Sequence, residues 1–103
     1  MTQYRIAFSD IDWESPIPGV RHKIAVAGST KLRLAEYTAQ MAPHWCSVGH
    51  VGQILEGRFE IEFHGGTQVF EAGDGVLIPS GEQHRHRARV LSDVVRAVFV
   101  EKA

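Results

Sequence analysis

With 103 residues, the chain has room for one hydrophobic core and is expected to form a single domain over residues 1–103. Its 11 Lys and Arg against 12 Asp and Glu leave a formal net charge of −1, which argues against nucleic acid as a main partner, because phosphate binding demands a cationic surface. Cys46 is the single cysteine, so no intrachain disulfide forms, and a domain this small must stand on its core, a partner subunit or a metal.

The N-terminal Met1-Thr2-Gln3-Tyr4-Arg5 has no charged-then-apolar leader pattern, and no apolar run approaches membrane-spanning length. The expectation is a cytoplasmic protein with no membrane partner. In chain order, Tyr4 to Phe8 is predicted as a first strand. Trp13 to Val20 carries Pro16, Pro18 and Gly19 and is predicted as a loop or an edge segment. Lys31 to Ala39 alternates charged and apolar residues as a half-buried strand does. Its Leu, Ala, Glu and Lys would also suit a helix, and the surrounding strands decide for the strand.

Val48 to Glu56 is predicted as a strand, and Gly57 opens the next, Arg58 to Phe63. There Phe59, Ile61 and Phe63 share one face and Glu60 and Glu62 the other, a strict period of two that assigns the aromatic row to the core. His64-Gly65-Gly66 is a hairpin turn. Gln68 to Phe70 returns, Gly73-Asp74-Gly75 turns again, and Val76 to Ile78 is a short strand closed by Pro79-Ser80-Gly81. Strands over His84 to Val90 and Val94 to Val100 complete the chain. Many short strands at regular spacing point to an all-β sandwich or barrel.

Four of the six histidines fall into two clusters, His44 with His50 and His84 with His86, and Cys46 lies inside the first. His44 and Cys46 are two apart and share a face on a strand. Along a straight strand His50 would lie about 20 Å from His44. A reversal within Ser47-Val48-Gly49 would remove that separation and bring all three side chains together. His84 and His86 share a face of the later strand, while Arg85, Arg87 and Arg89 alternate to the other. Imidazoles and a thiolate together suit Fe, Zn, Ni, Mn or Cu.

These residues resemble a family, the small single-domain cupins of the RmlC-like superfamily. Cupins carry two motifs, G-x5-H-x-H-x3,4-E-x6-G and G-x5-P-x-G-x2-H-x3-N. The second fits Gly73, Pro79, Gly81 and His84 at full spacing, with Ala88 in place of the final Asn. The first fits His44 and Gly57, with Cys46 in place of the second His, His50 in place of the Glu, and Thr38 in place of the leading Gly. The motifs occupy about residues 38–57 and 73–88.

The resemblance implies an all-β double-stranded β-helix, or jelly-roll, barrel that forms a homodimer. It also implies one divalent transition metal held by His44, Cys46, His50 and His84. His44, His50 and His84 form the natural set of three imidazoles with open positions, a set also found among cupin-like thiol dioxygenases. A fourth ligand at Cys46 would favour a closed Zn site. Cysteine is more often a small buried hydrophobe, the competing assignment here. His86 is expected in the pocket wall or behind a ligand, and His22 and His64 in solvent.

Arg85, Arg87 and Arg89 are expected as a row paired with Glu60 and Glu62. Trp45 is expected to pack or to face a partner, and Arg33, Tyr37 and Gln53 are possible pocket residues. Two functions follow from the resemblance: a metalloenzyme acting on a polar small molecule, of dioxygenase, isomerase or lyase type, or a non-catalytic small-molecule or metal sensor. Fold alone does not choose between them.

Overall fold

The structure, a computed structural model, describes residues 4–103. Among these residues nine strands form two antiparallel sheets. They are β1 (Glu14–Ile17), β2 (Val20–Ala27), β3 (Thr30–Thr38), β4 (His50–Glu56), β5 (Arg58–Phe63), β6 (Gly66–Glu71), β7 (Gly75–Ile78), β8 (His86–Val90) and β9 (Val94–Lys102). The larger sheet has the order β1-β2-β3-β9-β4-β7 and the smaller β6-β5-β8. They enclose a jelly-roll core of Ala35, Ile54, Phe59, Ile61, Val76, Ile78, Val95, Ala97 and Phe99, all buried. Phe59 and Ile61 face inward from β5, as their period of two requires.

Gly57 shows why a glycine must separate β4 from β5. Its φ is +84°, in the left-handed region, and a Cβ there would collide with the carbonyl oxygen of Val94. The neighbouring backbone is closed by Ser92, whose Oγ accepts from Arg58 N at 2.9 Å and donates to Val94 O at 2.8 Å. Only a residue without a side chain lets the chain reverse against β9 at this point.

Several expectations are corrected. Tyr4 to Phe8 is not a strand: no sheet edge pairs with it, and a 3-10 turn occupies Phe8–Asp10. The carbonyl of Phe8 instead accepts a 2.8 Å hydrogen bond from Lys23 Nζ. The segment from Trp13, by contrast, contains the short edge strand β1, within the loop or edge segment that the sequence predicts. Strand β2 escaped the sequence reading, although it pairs along its whole length with β3.

In β3 the expected alternation is present, and the structure sets its phase. Ala35 is fully buried and Arg33 and Tyr37 line the interior, so Leu32 and Leu34 occupy the outer face. Finally, β8 begins at His86, because Glu82–His84 form a 3-10 turn. No helix among the described residues is long and apolar enough to cross a membrane.

Candidate functional site: a histidine-lined cavity between the sheets

The topology explains how the histidines converge. β3 and β4 are consecutive in sequence but separated in the sheet by β9, so no tight hairpin can join them. The connection through residues 39–49 makes a single bridge to the opposite sheet, where Cys46 and His86 exchange two backbone hydrogen bonds of 2.9 Å. His44 and Cys46 therefore belong to an irregular segment, not to the expected strand. Pro43 has no N–H to give to a ladder. Gly49 enters β4 against the Ile78 carbonyl, where a Cβ would collide.

A cavity of about 230 Å³ opens between the sheets, and His44, Cys46, His50 and His86 all border it, with Arg33, Tyr37 and Phe99 among its other walls. His84 stands in the turn before β8 and is not part of the wall; His86, two residues later, is. Arg33 and Tyr37 are in the lining as the sequence suggested, whereas Gln53 is outside it, its amide donating to Gly73 O at 3.3 Å.

The histidine rings are held by their Nδ1 atoms. His86 Nδ1 lies 3.0 Å from the carbonyl oxygen of His84. A carbonyl accepts only, so Nδ1 carries the proton and Nε2 keeps its lone pair. That Nε2 is buried and has no hydrogen-bond partner. Burial pushes His86 below its ordinary value, only partly offset by the bond to His84 O, so the ring is neutral at pH 7. His44, exposed on the crossing segment, has the same arrangement, with Nδ1 3.2 Å from Ala42 O.

His50 Nδ1 faces Glu101 Oε2 at 3.6 Å, an electrostatic contact slightly longer than a hydrogen bond. The His50 and His86 rings meet edge-on with centroids 5.2 Å apart. Glu101 is fixed from behind by Arg33, whose Nε and Nη2 donate to its two oxygens at 2.8 and 3.0 Å. His50 and this Arg33 fork hold the Glu101 carboxyl at about 2, against the effect of its burial.

In all three rings, then, Nδ1 is turned to an oxygen and Nε2 is the remaining nitrogen, as in imidazoles that bind metals. Among the described residues, however, no three His, Cys, Asp or Glu side chains stand close enough to chelate an ion in this conformation. His22, expected in solvent, is half-buried on β2 with an unpartnered Nδ1, and burial followed by Arg33 lowers its pKa.

At the rim, Arg87 donates to Glu62 at 2.7 Å and Arg89 stands 3.7 Å from Glu60, the pairing the sequence suggested. Trp45 is bracketed by Arg85 and Arg87, each guanidinium 4.8 Å from its ring centroid. Arg87 also borders the cavity, which strict alternation along β8 did not foresee.

Comparison with known proteins agrees with this architecture. The family model described as a cupin domain matches residues 34–101, and the chain belongs to that family. Among curated proteins none matches the sequence. The fold is similar to that of KdgF from Halomonas sp., with a TM-score of 0.82 and 19% identity over 98% of this chain and 94% of that one. It is also similar to an RmlC-like cupin from Shewanella frigidimarina, with a TM-score of 0.74 and 15% identity over 96% and 91% of the two chains. A sugar phosphate isomerase of the cupin superfamily from Silicibacter pomeroyi has a TM-score of 0.71 and 14% identity, over 93% of this chain and 73% of that one. At these identities the likeness is one of fold.

Proposed function

We propose that the cavity binds one divalent transition metal and that the protein is a small metalloenzyme acting on a polar small molecule, in reactions of the dioxygenase, isomerase or lyase kind. The observation that carries this reading is the buried, unpartnered Nε2 of His86 beside the His50 ring. A buried lone pair without a donor costs free energy unless something fills it, and a metal ion meets that need. His50 and His86 form the anchored pair, and His44, on the exposed segment, supplies the third imidazole by closing over the cavity. Cys46 stands beside them as a fourth donor or as packing.

A metal bound by neutral imidazoles would supply Lewis acidity or a redox centre with positions open to substrate. The chain's own contribution is positional. The His84 and Ala42 carbonyls fix the tautomers of His86 and His44, and Glu101 orients His50. Phe59, Ile61, Val76 and Phe99 keep the floor of the cavity apolar, strengthening polar contacts made within it. Arg33 and Arg87 are both neutralised by carboxylates, so they orient a polar group more than they attract an anion.

The cupin motif assigns the second-motif ligand to His84, whereas the cavity wall contains His86. Elemental analysis of untagged protein, native and with His84→Ala or His86→Ala, separates the two. Near-stoichiometric metal that survives His84→Ala and is lost in His86→Ala is the expected result. Loss in His84→Ala alone would return the site to the motif histidine. Absence of metal after reconstitution would refute the metal reading and leave a non-catalytic binding cupin, the second reading. That alternative draws support from the lack of a preassembled chelating trio.

A further inference from the structure

The cavity has two polar ends and an apolar middle. At one end stand His50 and His86, with Phe63 opposite His86 in the β5–β8 register. At the other, Tyr37 of β3 lies on Phe59 of β5, their ring centroids 6.1 Å apart and their planes inclined by 18°. Phe59 and Phe63 are four residues apart on β5, so the two ends are about 13 Å apart along the strand. Between them the walls are the side chains of Ile61, Val76, Ala88 and Phe99, none of which can hydrogen-bond a guest.

The spacing in β3 explains what Tyr37 faces. Arg33, Ala35 and Tyr37 are two apart and share the inward face, and their β9 partners are Phe99, Ala97 and Val95. Ala35 and Ala97 are fully buried and are the smallest side chains of the set, so Arg33 and Tyr37 approach each other across them. Arg33 is already engaged: its Nε and Nη2 hold Glu101, and its guanidinium lies 5.3 Å from the centre of the Phe99 ring. That ion pair has no net charge. An arginine only donates, so it takes no proton from the tyrosine. Burial raises the Tyr37 pKa, with the Arg33 charge acting against the rise, and the hydroxyl keeps its proton at neutral pH. Tyr37 therefore brings an O–H donor to the cavity wall, beside an arginine that cannot accept from it.

We propose that Tyr37 determines specificity, donating a hydrogen bond to a neutral oxygen of a substrate whose apolar body is about one ring in size. The inference rests on the metalloenzyme reading of the histidine end and names what the opposite end receives. The first reason is size. A dry cavity of about 150 Å³ accommodates benzene, and the volume of about 230 Å³ here leaves room for a ring with a short substituent. The second is the wall. A polyhydroxy compound such as a sugar would lose water from each hydroxyl against Ile61, Val76 and Phe99 and regain no hydrogen bond, at a cost for every group left unpaired. The third is charge. Glu101 neutralises Arg33, so an anion at this end finds no free cation, whereas a carbonyl, ether or alcohol oxygen needs only the tyrosine's donor. The substrate then lies with that oxygen toward Tyr37 and its reacting group toward the histidines.

The test is amide NMR titration of the untagged chain and of Tyr37→Phe with benzyl alcohol, toluene and D-glucose. Phenylalanine keeps the ring on Phe59 and removes only the hydroxyl, and toluene is benzyl alcohol without its oxygen. The four Kd values for the two aromatic probes thus form a cycle that isolates the hydrogen bond. Both aromatic probes should shift the amides of Ile61, Ala88 and Phe99 in the native chain, and D-glucose at the same concentration should not. In Tyr37→Phe the Kd of benzyl alcohol should rise about fivefold while that of toluene is almost unchanged. Preserved amide dispersion shows that the variant is folded, and the native-chain comparison with D-glucose tests the substrate class without any variant. Each titration is repeated after EDTA treatment, because the Tyr37 preference does not require a metal. Failure of the metal reading appears in elemental analysis and leaves the preference intact. Equal changes for the two aromatic probes in Tyr37→Phe, no binding by either of them, or shifts of the same amides by D-glucose would overturn the proposal.

Discussion

Replacing Glu101 by Gln removes the charge that links Arg33 and His50 behind the cavity wall while keeping the side chain's shape. Glu101 accepts two bonds from Arg33 and faces Lys31 at 3.7 Å and His50 at 3.6 Å, with only 13% of its side chain exposed. Its carboxyl lies at about 2 against an ordinary 4.5. Taken whole, that difference corresponds to about 3 kcal/mol of native-state stability. The His50 contact exceeds hydrogen-bond length and deserves less weight than the Arg33 fork, so about 2 kcal/mol is the better figure.

The sign follows from the depressed value. Above pH 4.5 the carboxylate is ionised in both states and the full stabilisation is present. As the pH falls from 4.5 toward 2 the unfolded chain takes up its proton first, and the contribution is lost. Urea unfolding of the native protein and Glu101→Gln should differ by about 2 kcal/mol at pH 7, with the curves converging as the pH approaches 2. Equal stabilities at pH 7, or a constant gap down to pH 2, would refute the reasoning.

Gly57→Ala should lower stability by about 2–4 kcal/mol, because it combines a positive φ with a backbone collision. By differential scanning calorimetry Tm should fall by roughly 10 °C or more, whereas Gly65→Ala, with open space around its Cα, should leave Tm almost unchanged. Ile54→Ala, at a fully buried position between the sheets, should cost about 2–5 kcal/mol in urea unfolding. Glu36→Gln should destabilise far more than Glu62→Gln under the same assay. Glu36 has 9% of its side chain exposed and two arginines to leave unpaired, and Glu62 has 39% and one; exposed pairs are worth at most about 1 kcal/mol.

What the sequence made legible was periodic or punctuated by glycine. The Phe59, Ile61, Phe63 face, the Gly57 and Gly73 turns and the short strand before Pro79 follow from local rules that tertiary structure did not override. His44, Cys46 and His50 do border one cavity, although they reach it by another route than the expected hairpin and do not meet at one point. Their approach depends on β9 lying between β3 and β4, a long-range pairing that no local spacing encodes. β2 was missed because its charged positions interrupt the apolar pattern. The tyrosine and isoleucine near the N-terminus have strand propensity but find no edge, and propensity without a partner makes no strand.

His84 and His86 show the same limit at the site itself. A period of two gives His84 and His86 one facing, and only the 3-10 turn at Glu82–His84 separates them. That turn begins after Gly81, whose φ of +130° sends the chain in a direction other residues rarely adopt. His84 then contributes its carbonyl to fix His86, and His86 contributes its ring to the cavity. The two residues thus have unequal parts, one in the backbone and one in the side chain. A substitution at His84 that preserves the backbone leaves the carbonyl in place, so His84→Gln should retain the His86 tautomer. His86→Gln removes the unpartnered nitrogen altogether. The metal-binding reading therefore predicts unequal losses for the same substitution at positions that share a strand face in the linear pattern.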